Sequence, residues 1–296
     1  MAYEKEEQEA TDSSDKKILE TCQKELKLCV EEEAEERAKM LDDLKFGTLD
    51  QWPSTIRTER ENDVENGPRP CLTIDKINQY RTQIVNDMRQ GKPGILVRPQ
   101  DDKADPETAK ILKGLIRNIE DQSSADISYM TAGGNAVDIG LGYFRITNEY
   151  VSEESFDQEL FVRPIPNTFS VYLSKHIMPD GSDAKRGYIA ESMPVESFKK
   201  MYPKAKYAET YFSDLDTTVA SYWRTTETIT VVEEYVLDRI EEEIYFLSDG
   251  TTIEKSDYDK WPATAGPKPS VEDKRRAFRE QLRWHKMTGC EVLDKR

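Results

Sequence analysis

Apolar residues recur every three or four positions through the first half of the chain, which is the spacing of amphipathic helices. This pattern predicts helices over residues 15–46, 54–63 and 75–90, a helix that starts at Pro106, and a helix over residues 126–141. Residues 1–14 are polar and acidic, so we expect them to be disordered in isolation. Helices therefore dominate the predicted structure as far as Leu141.

Beyond Gly142 the apolar residues alternate with polar ones, which is the period of strands. The pattern predicts strands over residues 143–151, 156–165, 167–175, 228–238, 241–248 and 251–253, a short helix over residues 195–202, and a loop over residues 208–226. Residues 152–155 and the Asp249-Gly250 pair are turn signals, so the strands beside them are expected to pair antiparallel. The predicted fold class is α+β, with a helical N-terminal half followed by mostly antiparallel strands.

Residues 59–99 carry the densest set of local signals in the chain. A Gly-Pro-Arg-Pro motif ends the preceding helix there, because proline lacks a donor N–H and disfavours a helical residue before it. Asp75 is a candidate N-cap for the next helix, as Ser54 is for the helix before it. Residues 95–97 are apolar and bounded by glycine and proline, which predicts a short buried strand and a helix docked on a sheet.

The predicted first helix has a narrow apolar stripe, so we expect it to lie outside the core of one subunit or against a neighbouring subunit. Cys22 and Cys29 are seven residues apart on that stripe and are interpreted as small packing residues. The acidic run over residues 31–37 is interpreted as a solvated face, because adjacent carboxylates point around a helix.

Motifs that would support catalysis or cofactor binding are weak. The glycines among residues 132–142 lack the spacing of a phosphate-binding loop, so we interpret them as permitting close helix packing. Asp180 and Asp183 flank a glycine but lack the further ligands of a calcium loop, which favours a turn. Four cysteines and two histidines form no zinc motif, which indicates reduced thiols in an intracellular protein. We assign no catalytic residue, cofactor or metal ligand.

The 296-residue chain has a formal net charge of -16, with 34% charged and 36% hydrophobic residues. The low apolar fraction indicates either a heavily solvated surface or apolar contacts supplied by neighbouring subunits. The acidic charge disfavours a surface that grips phosphates, because nucleic-acid affinity depends on cations. No run approaches the ~20 apolar residues of a membrane span, and the N-terminus is acidic, unlike a signal peptide. We therefore expect a soluble protein made in the cytoplasm.

A basic segment near the C-terminus reverses the acidic bias. Over residues 274–286, cationic side chains outnumber the single acidic residue Glu280 and lie beside Trp284. The candidate contacts with DNA or with another subunit are Arg275, Arg276, Arg279, Arg283 and Lys286. A solvated edge strand explains the same residues, because long cationic side chains keep their charged ends in water. Both interpretations stay open.

Proline and glycine between residues 262 and 269 mark the clearest linker. The predicted organisation is an acidic helical arm over residues 1–46, an α+β domain over 47–262, a linker over 263–270 and a basic strand segment over 271–296. Residues 290–293 begin another strand close to the last residue, so we interpret the chain as truncated.

The amino-acid sequences of several segments resemble those of a known protein family. The segments are ERENDVENGPRPCLTIDKINQYRTQIVNDMRQGKPGILVRP (residues 59–99), GLIRNIEDQSSAD (residues 114–126) and AVDIGLGYFRITNEY (residues 136–150), followed by SFDQEL, NTFSVYLSK and PDGSDA. In this order, over residues 59–184, they resemble the early part of the portal proteins, the head-to-tail connectors of short-tailed double-stranded DNA phages. The resemblance implies the wing region of a portal subunit as the fold.

The same resemblance implies a non-enzymatic subunit of a ring, usually twelve-membered, at one capsid vertex. DNA would be packaged and ejected through its channel without sequence-specific binding, and an acidic protein suits a passage through which DNA slides. The implied partners are identical subunits, a terminase ATPase, a scaffolding or capsid protein and a tail adaptor, with no membrane. The implied location is the virion, after synthesis in the host cytoplasm.

Two other classes of function stay open on the residues themselves. Carboxylates are plentiful, so a metal-dependent nuclease or another acidic phage enzyme is one alternative. A cellular acidic protein-binding module is the other.

Overall fold

The computed structural model describes residues 2–63, 67–91, 94–99, 105–152, 154–203, 205, 228–261 and 268–296. The chain forms two compact units. The helical unit is Glu33–Phe169, and the sheet unit combines Met1–Glu32 with Ser170–Arg296. The four-part division expected from the sequence stays a prediction, and residues 263–267 of its linker lie outside the described residues.

Helices occupy the first half of the chain, as the apolar spacing predicts. They are α1 (Ala2–Gly47), α2 (Ser54–Glu61), α3 (Asn78–Gly91), α4 (Pro106–Ser123) and α5 (Ala125–Ile139). The five predicted helices are confirmed, with shifts at their ends. Helix α1 begins at Ala2, and the expectation that residues 1–14 are disordered in isolation stays a prediction.

Acidic side chains bond to the first turns of two of these helices. Asp105 caps α4, and its carboxylate accepts hydrogen bonds from two first-turn N–H groups at 3.0 and 3.1 Å. Asp75 likewise accepts a hydrogen bond from the N–H of Asn78, the first residue of α3, at 3.0 Å. The predicted cap at Ser54 is wrong, because Pro53 occupies the N-cap position of α2 and no side chain caps that helix.

Helix α3 packs on α5, which corrects the expectation of a helix docked on a sheet. Residues 95–97, predicted as a buried strand, are irregular, and Ile95 and Leu96 are exposed. A Cβ atom added at Gly133 of α5 would lie 2.3 Å from Cε of Met88 in α3, so the glycine admits this contact. The predicted close helix packing at the glycine-rich stretch is therefore confirmed at Gly133.

Strands β1 (Phe144–Tyr150) and β2 (Gln158–Pro164) form the predicted antiparallel hairpin of the helical unit. Two serines link the hairpin to helices α4 and α5 through hydrogen bonds. Ser123 Oγ of α4 accepts a hydrogen bond from the Val162 N–H at 3.0 Å, and Ser128 Oγ of α5 donates to the Val162 carbonyl at 3.1 Å. Both polar groups of this buried backbone residue are thereby satisfied.

The sheet unit contains the remaining strands. They are β3 (Val171–Leu173), β4 (Arg186–Pro194), β5 (Thr228–Leu247), β6 (Thr252–Glu254), β7 (Val271–Met287) and β8 (Val292–Lys295). Their order is β3-β4-β5-β7-β8, with β6 also paired to β5, and every pairing is antiparallel. Helices α6 (Val195–Met201) and α7 (Lys255–Asp259) lie in the connections. The predicted α+β class is confirmed.

Two features of the sheet differ from the prediction. Strand β4 was missed, although it pairs with β5 over its whole length. The strands predicted over 228–238 and 241–248 are the single strand β5, because β7 pairs with it from Val232 to Leu247 and bridges the charged residues at its middle. Residues 208–226, predicted as a loop, lie outside the described residues.

The main core of the sheet unit lies between α1 and the sheet. Cys22, Leu26 and Cys29 of α1 are buried against Tyr188, Val232 and Met287. The cysteines are thus packing residues, as predicted, and burial raises the pKa of the Cys22 thiol. The expectation that the first helix lies outside the core of its own subunit is wrong here, because its narrow stripe is matched by the sheet surface.

Within the described part of the chain, none of the helices is both long enough and apolar enough to cross a membrane.

Candidate contact surface on strands β5 and β7

The basic residues predicted as contacts all lie on β7, which pairs with the acidic strand β5. Side chains of a strand alternate between the two faces of the sheet. Arg275, Arg279 and Arg283 therefore share one face, and Arg276 and Lys286 share the other. The five residues do not form a single basic surface.

On the first face, carboxylates of neighbouring strands pair with two of the three arginines. Arg283 donates to Asp238 of β5, which lies diagonally across the ladder. Arg279 forms an ion pair with Glu254 of β6 at 3.1 Å. Arg275 has no ion-pair partner among the residues that the structure describes. This end of β7 keeps an uncompensated positive charge within the described sheet.

On the second face, both basic residues have acidic partners on β5. Arg276 lies 3.2 Å from Glu241, and its side chain is 75% exposed. Lys286 lies 3.1 Å from Glu233 and is largely buried. Burial opposes the charge of Lys286, yet the Glu233 carboxylate outweighs this and raises the pKa of the ammonium group. Lys286 is therefore a structural cation fixed by its ion pair with Glu233, whereas the side chain of Arg276 is exposed to solvent.

One part of β7 is an edge of the described sheet, and another part lies in its interior. Residues 271–283 pair only with β5 within the described sheet, so this part is an edge strand, as one sequence interpretation held. His285, Lys286 and Met287 pair with both β5 and β8 and are interior. This difference between edge and interior pairing explains why Arg275 and Arg276 are exposed to solvent whereas Lys286 is largely buried.

A buried charge cluster lies beside this ladder and was not predicted from the sequence. Glu234 is 2% exposed and accepts a hydrogen bond from Arg186 at 2.8 Å, while Nδ1 of His285 lies 2.9 Å away. The Tyr188 hydroxyl also donates to this carboxylate, at 3.3 Å. The available signal was an acidic residue within the apolar run of β5, since a buried carboxylate requires partners.

The described residues contain no group of three or more His, Cys, Asp and Glu side chains arranged to hold a metal ion. Asp180 and Asp183, weighed above as calcium ligands, instead accept hydrogen bonds from nearby groups. Asp183 accepts from the N–H groups of Ile177 and Met178 at 2.8 and 3.1 Å, and Asp180 accepts from Ser182. This is the local bonding of the predicted turn.

A comparison with known protein families shows to which family the chain belongs. The model of the family described as "Phage P22-like portal protein" matches residues 23–296. The chain belongs to this family. A phage portal protein is a structural subunit of the head-to-tail connector, so the resemblance found over residues 59–184 is confirmed and extends across nearly the whole chain.

Membership of the portal family carries further consequences. The family implies a ring oligomer with a role in DNA packaging, and a position at the portal vertex of the virion. The β5–β7 ribbon and the buried Glu234 cluster are therefore features of a ring subunit. Ion pairs link β7 to neighbouring strands on both faces of this sheet.

Proposed function

We propose that this portal subunit acts by shape and assembly, without bond chemistry, and that DNA passes it without sequence-specific binding. The observation that carries the proposal is the charge pairing of β7. Arg279, Arg283 and Lys286 are each bound to a carboxylate of the same sheet. A cation already paired within the protein contributes little to phosphate affinity, because binding depends on the counterions that free cations release from DNA.

The two arginines at the exposed part of β7, Arg275 and the ion-paired Arg276, serve contact between subunits in this proposal. Arg275 and Arg276 lie at the exposed part of the strand, one on each face. A neighbouring subunit carries the same net charge of -16, so an acidic surface is the commonest surface that these arginines meet. We therefore favour contact of these two arginines with a neighbouring subunit over tight binding to DNA, because the DNA must move through the channel.

The partners of the assembled ring follow from the portal role. We propose a terminase ATPase that docks on the ring during packaging, a scaffolding or capsid protein around it, and a tail adaptor below it. Synthesis in the host cytoplasm precedes incorporation into the virion. Support for these partners is membership of the family alone.

Two assays on the purified protein test the proposal. Incubation with plasmid DNA and magnesium or manganese is expected to leave the plasmid intact, and reproducible cleavage would overturn the claim of no bond chemistry. Binding to a labelled DNA duplex is expected to be weak and independent of sequence. The double variant Arg275→Ala/Arg276→Ala should leave it unchanged, with Lys110→Ala/Arg117→Ala as the control for loss of two exposed charges elsewhere.

A further inference from the structure

The helical unit contains a preformed apolar groove between the end of α1, helix α3 and the C-terminal half of α5. Its volume is about 550 Å³. The apolar lining is contributed by Leu44, Phe46, Ile77, Tyr80, Ile84 and Ile139. The first five of these side chains are between 37 and 62% exposed, so the residues that the structure describes leave the groove open. Contiguous exposed apolar surface of this kind marks an interaction site.

Two walls of the groove, helices α3 and α5, are held together within the subunit. Arg81 of α3 donates through two nitrogens to the carboxylate of Asp138 in α5, which clamps one wall to the other. Met88 packs over Gly133 about two turns further along α3. A bidentate ion pair and a close helix contact hold the spacing of α3 and α5, so an inserted side chain meets a formed site.

The same unit carries an apolar projection of matching chemistry. Phe156 follows the turn of the β1–β2 hairpin and is 96% exposed. Tyr150, Val151 and Leu160 near this turn are also exposed. The opposite face of the hairpin is stiffened by Arg163, whose guanidinium donates to Glu149 at 3.0 and 2.6 Å. The tip is thus an apolar knob that is supported by this ion pair and left uncovered by the described part of its own subunit.

We propose that Phe156 of one subunit inserts into this groove of a second copy of the chain. Phe156 and the groove lie in one compact unit, and the exposure of Phe156 shows that it does not fill the groove of its own subunit. A knob and a groove at different places on one chain form a heterologous contact, which generates a ring when the rotation closes. The inference rests on the proposed ring assembly, which the portal family implies.

A second copy fits this site better than the other partners of a portal. DNA is disfavoured as the occupant, because the site presents apolar side chains while DNA affinity comes from cations at phosphates. Each subunit of a ring supplies one knob and one groove, so every groove is filled without another protein. The contact also removes large apolar side chains from water on both surfaces, as permanent subunit interfaces do.

Thiol cross-linking tests the contact directly. In a background of Cys71→Ser and Cys290→Ser, a Phe156→Cys protein is mixed with a size-tagged Ile84→Cys protein and treated with a short bismaleimide. The control replaces Phe156→Cys by Ile177→Cys, since Ile177 is 90% exposed in the sheet unit. The expected result is at least tenfold more tagged-to-untagged product for the 156 and 84 pair than for the control pair.

Equal yields in the two mixtures would overturn the inference. Mass photometry of the wild-type protein in the same buffer distinguishes this failure from failure of the proposed function. If the wild type assembles and the yields are equal, the knob and groove are not the contact, whereas a wild type that never assembles removes the ring assembly as well. A Phe156→Ala variant should lower the assembled fraction, and Ile177→Ala should leave it unchanged.

Discussion

Glu234 of β5 and His285 of β7 are directly opposed in the register of the sheet, and Nδ1 of the imidazole lies 2.9 Å from Oε2 of the carboxylate. Arg186 of β4 donates to the other carboxylate oxygen at 2.8 Å. One buried carboxylate therefore links three adjacent strands. The core formed by Cys22 and Tyr188 lies against the same strands, so the polar cluster and the apolar core depend on each other.

Replacement of Glu234 by alanine is expected to destabilise the sheet unit by about 3–5 kcal/mol, because it removes the buried carboxylate that Arg186, Tyr188 and His285 share. Glu241→Ala is the control on the same strand, since its ion pair with Arg276 is exposed and is expected to contribute about 0–1 kcal/mol. Urea unfolding followed by circular dichroism measures both. Similar losses for the two variants would contradict the structural role of the buried cluster.

Gly142 is predicted to be the least replaceable glycine of the helical unit. A Cβ atom added there would lie 1.8 Å from the carbonyl oxygen of Ala132, and backbone does not yield as a side-chain tip does. Gly142→Ala should destabilise by about 1–3 kcal/mol, the usual range for overpacking. Thermal unfolding of the variant measures this loss.

Gly134→Ala provides the opposite control for this experiment. No heavy atom lies within 4 Å of a Cβ atom at Gly134, which is inside α5. Alanine should therefore stabilise by about 0.4–1 kcal/mol through helix propensity. A higher melting temperature for Gly142→Ala than for Gly134→Ala would contradict the packing described for this corner.

The hairpin should lose stability in acid through Glu149. Hydrogen bonds from Arg163 and Thr147 lower the pKa of Glu149 from its usual 4.5 to about 2. The folded state binds this proton less readily than the unfolded chain, so the stabilisation is present above pH 4.5 and is lost as the pH falls toward 2. Glu149→Gln should thus be less stable than wild type at neutral pH, and the difference should shrink in acid. A difference that stays constant down to pH 2 would disprove this linkage.

The charge pairs of the ribbon should be individually weak. A double-mutant cycle on Arg283 and Asp238 is expected to give a coupling of about 0.2–1 kcal/mol, because both side chains are partly solvated. The coupling should fall in high salt, which screens exposed charges. Repeating the cycle on Lys286 and Glu233, which are more buried, should show less salt dependence. Equal screening of the two pairs would contradict the difference in their environments.

Local signals in the sequence predicted the helices well because their causes are local. Asp105 caps α4 through side-chain hydrogen bonds to the adjacent backbone, and the apolar spacing of α4 and α5 follows from the helical period. The hairpin of β1 and β2 was predicted for the same reason, since its turn lies between two alternating segments. Such features can be predicted from the sequence because each depends on only a few neighbouring residues.

The features that the sequence did not predict depend on distant partners. The charged middle of β5 broke its alternation into two predicted strands, yet residues of β7 some forty positions later pair with it and keep it continuous. The burial of Glu234 depends on Arg186 and His285, which are far from it in the chain. Among the candidate contacts, alternation along β7 would have separated Arg275 from Arg276, but only the register shows which carboxylates pair with them.

The oligomeric state of the protein at its natural length tests the account most directly. Mass photometry at micromolar concentration, with negative-stain microscopy of the same sample, distinguishes a single closed ring from a monomer. The account predicts a closed ring with a central channel, as expected for a portal subunit that acts by assembly. A protein that stays monomeric under these conditions, with scaffolding protein supplied, would contradict it.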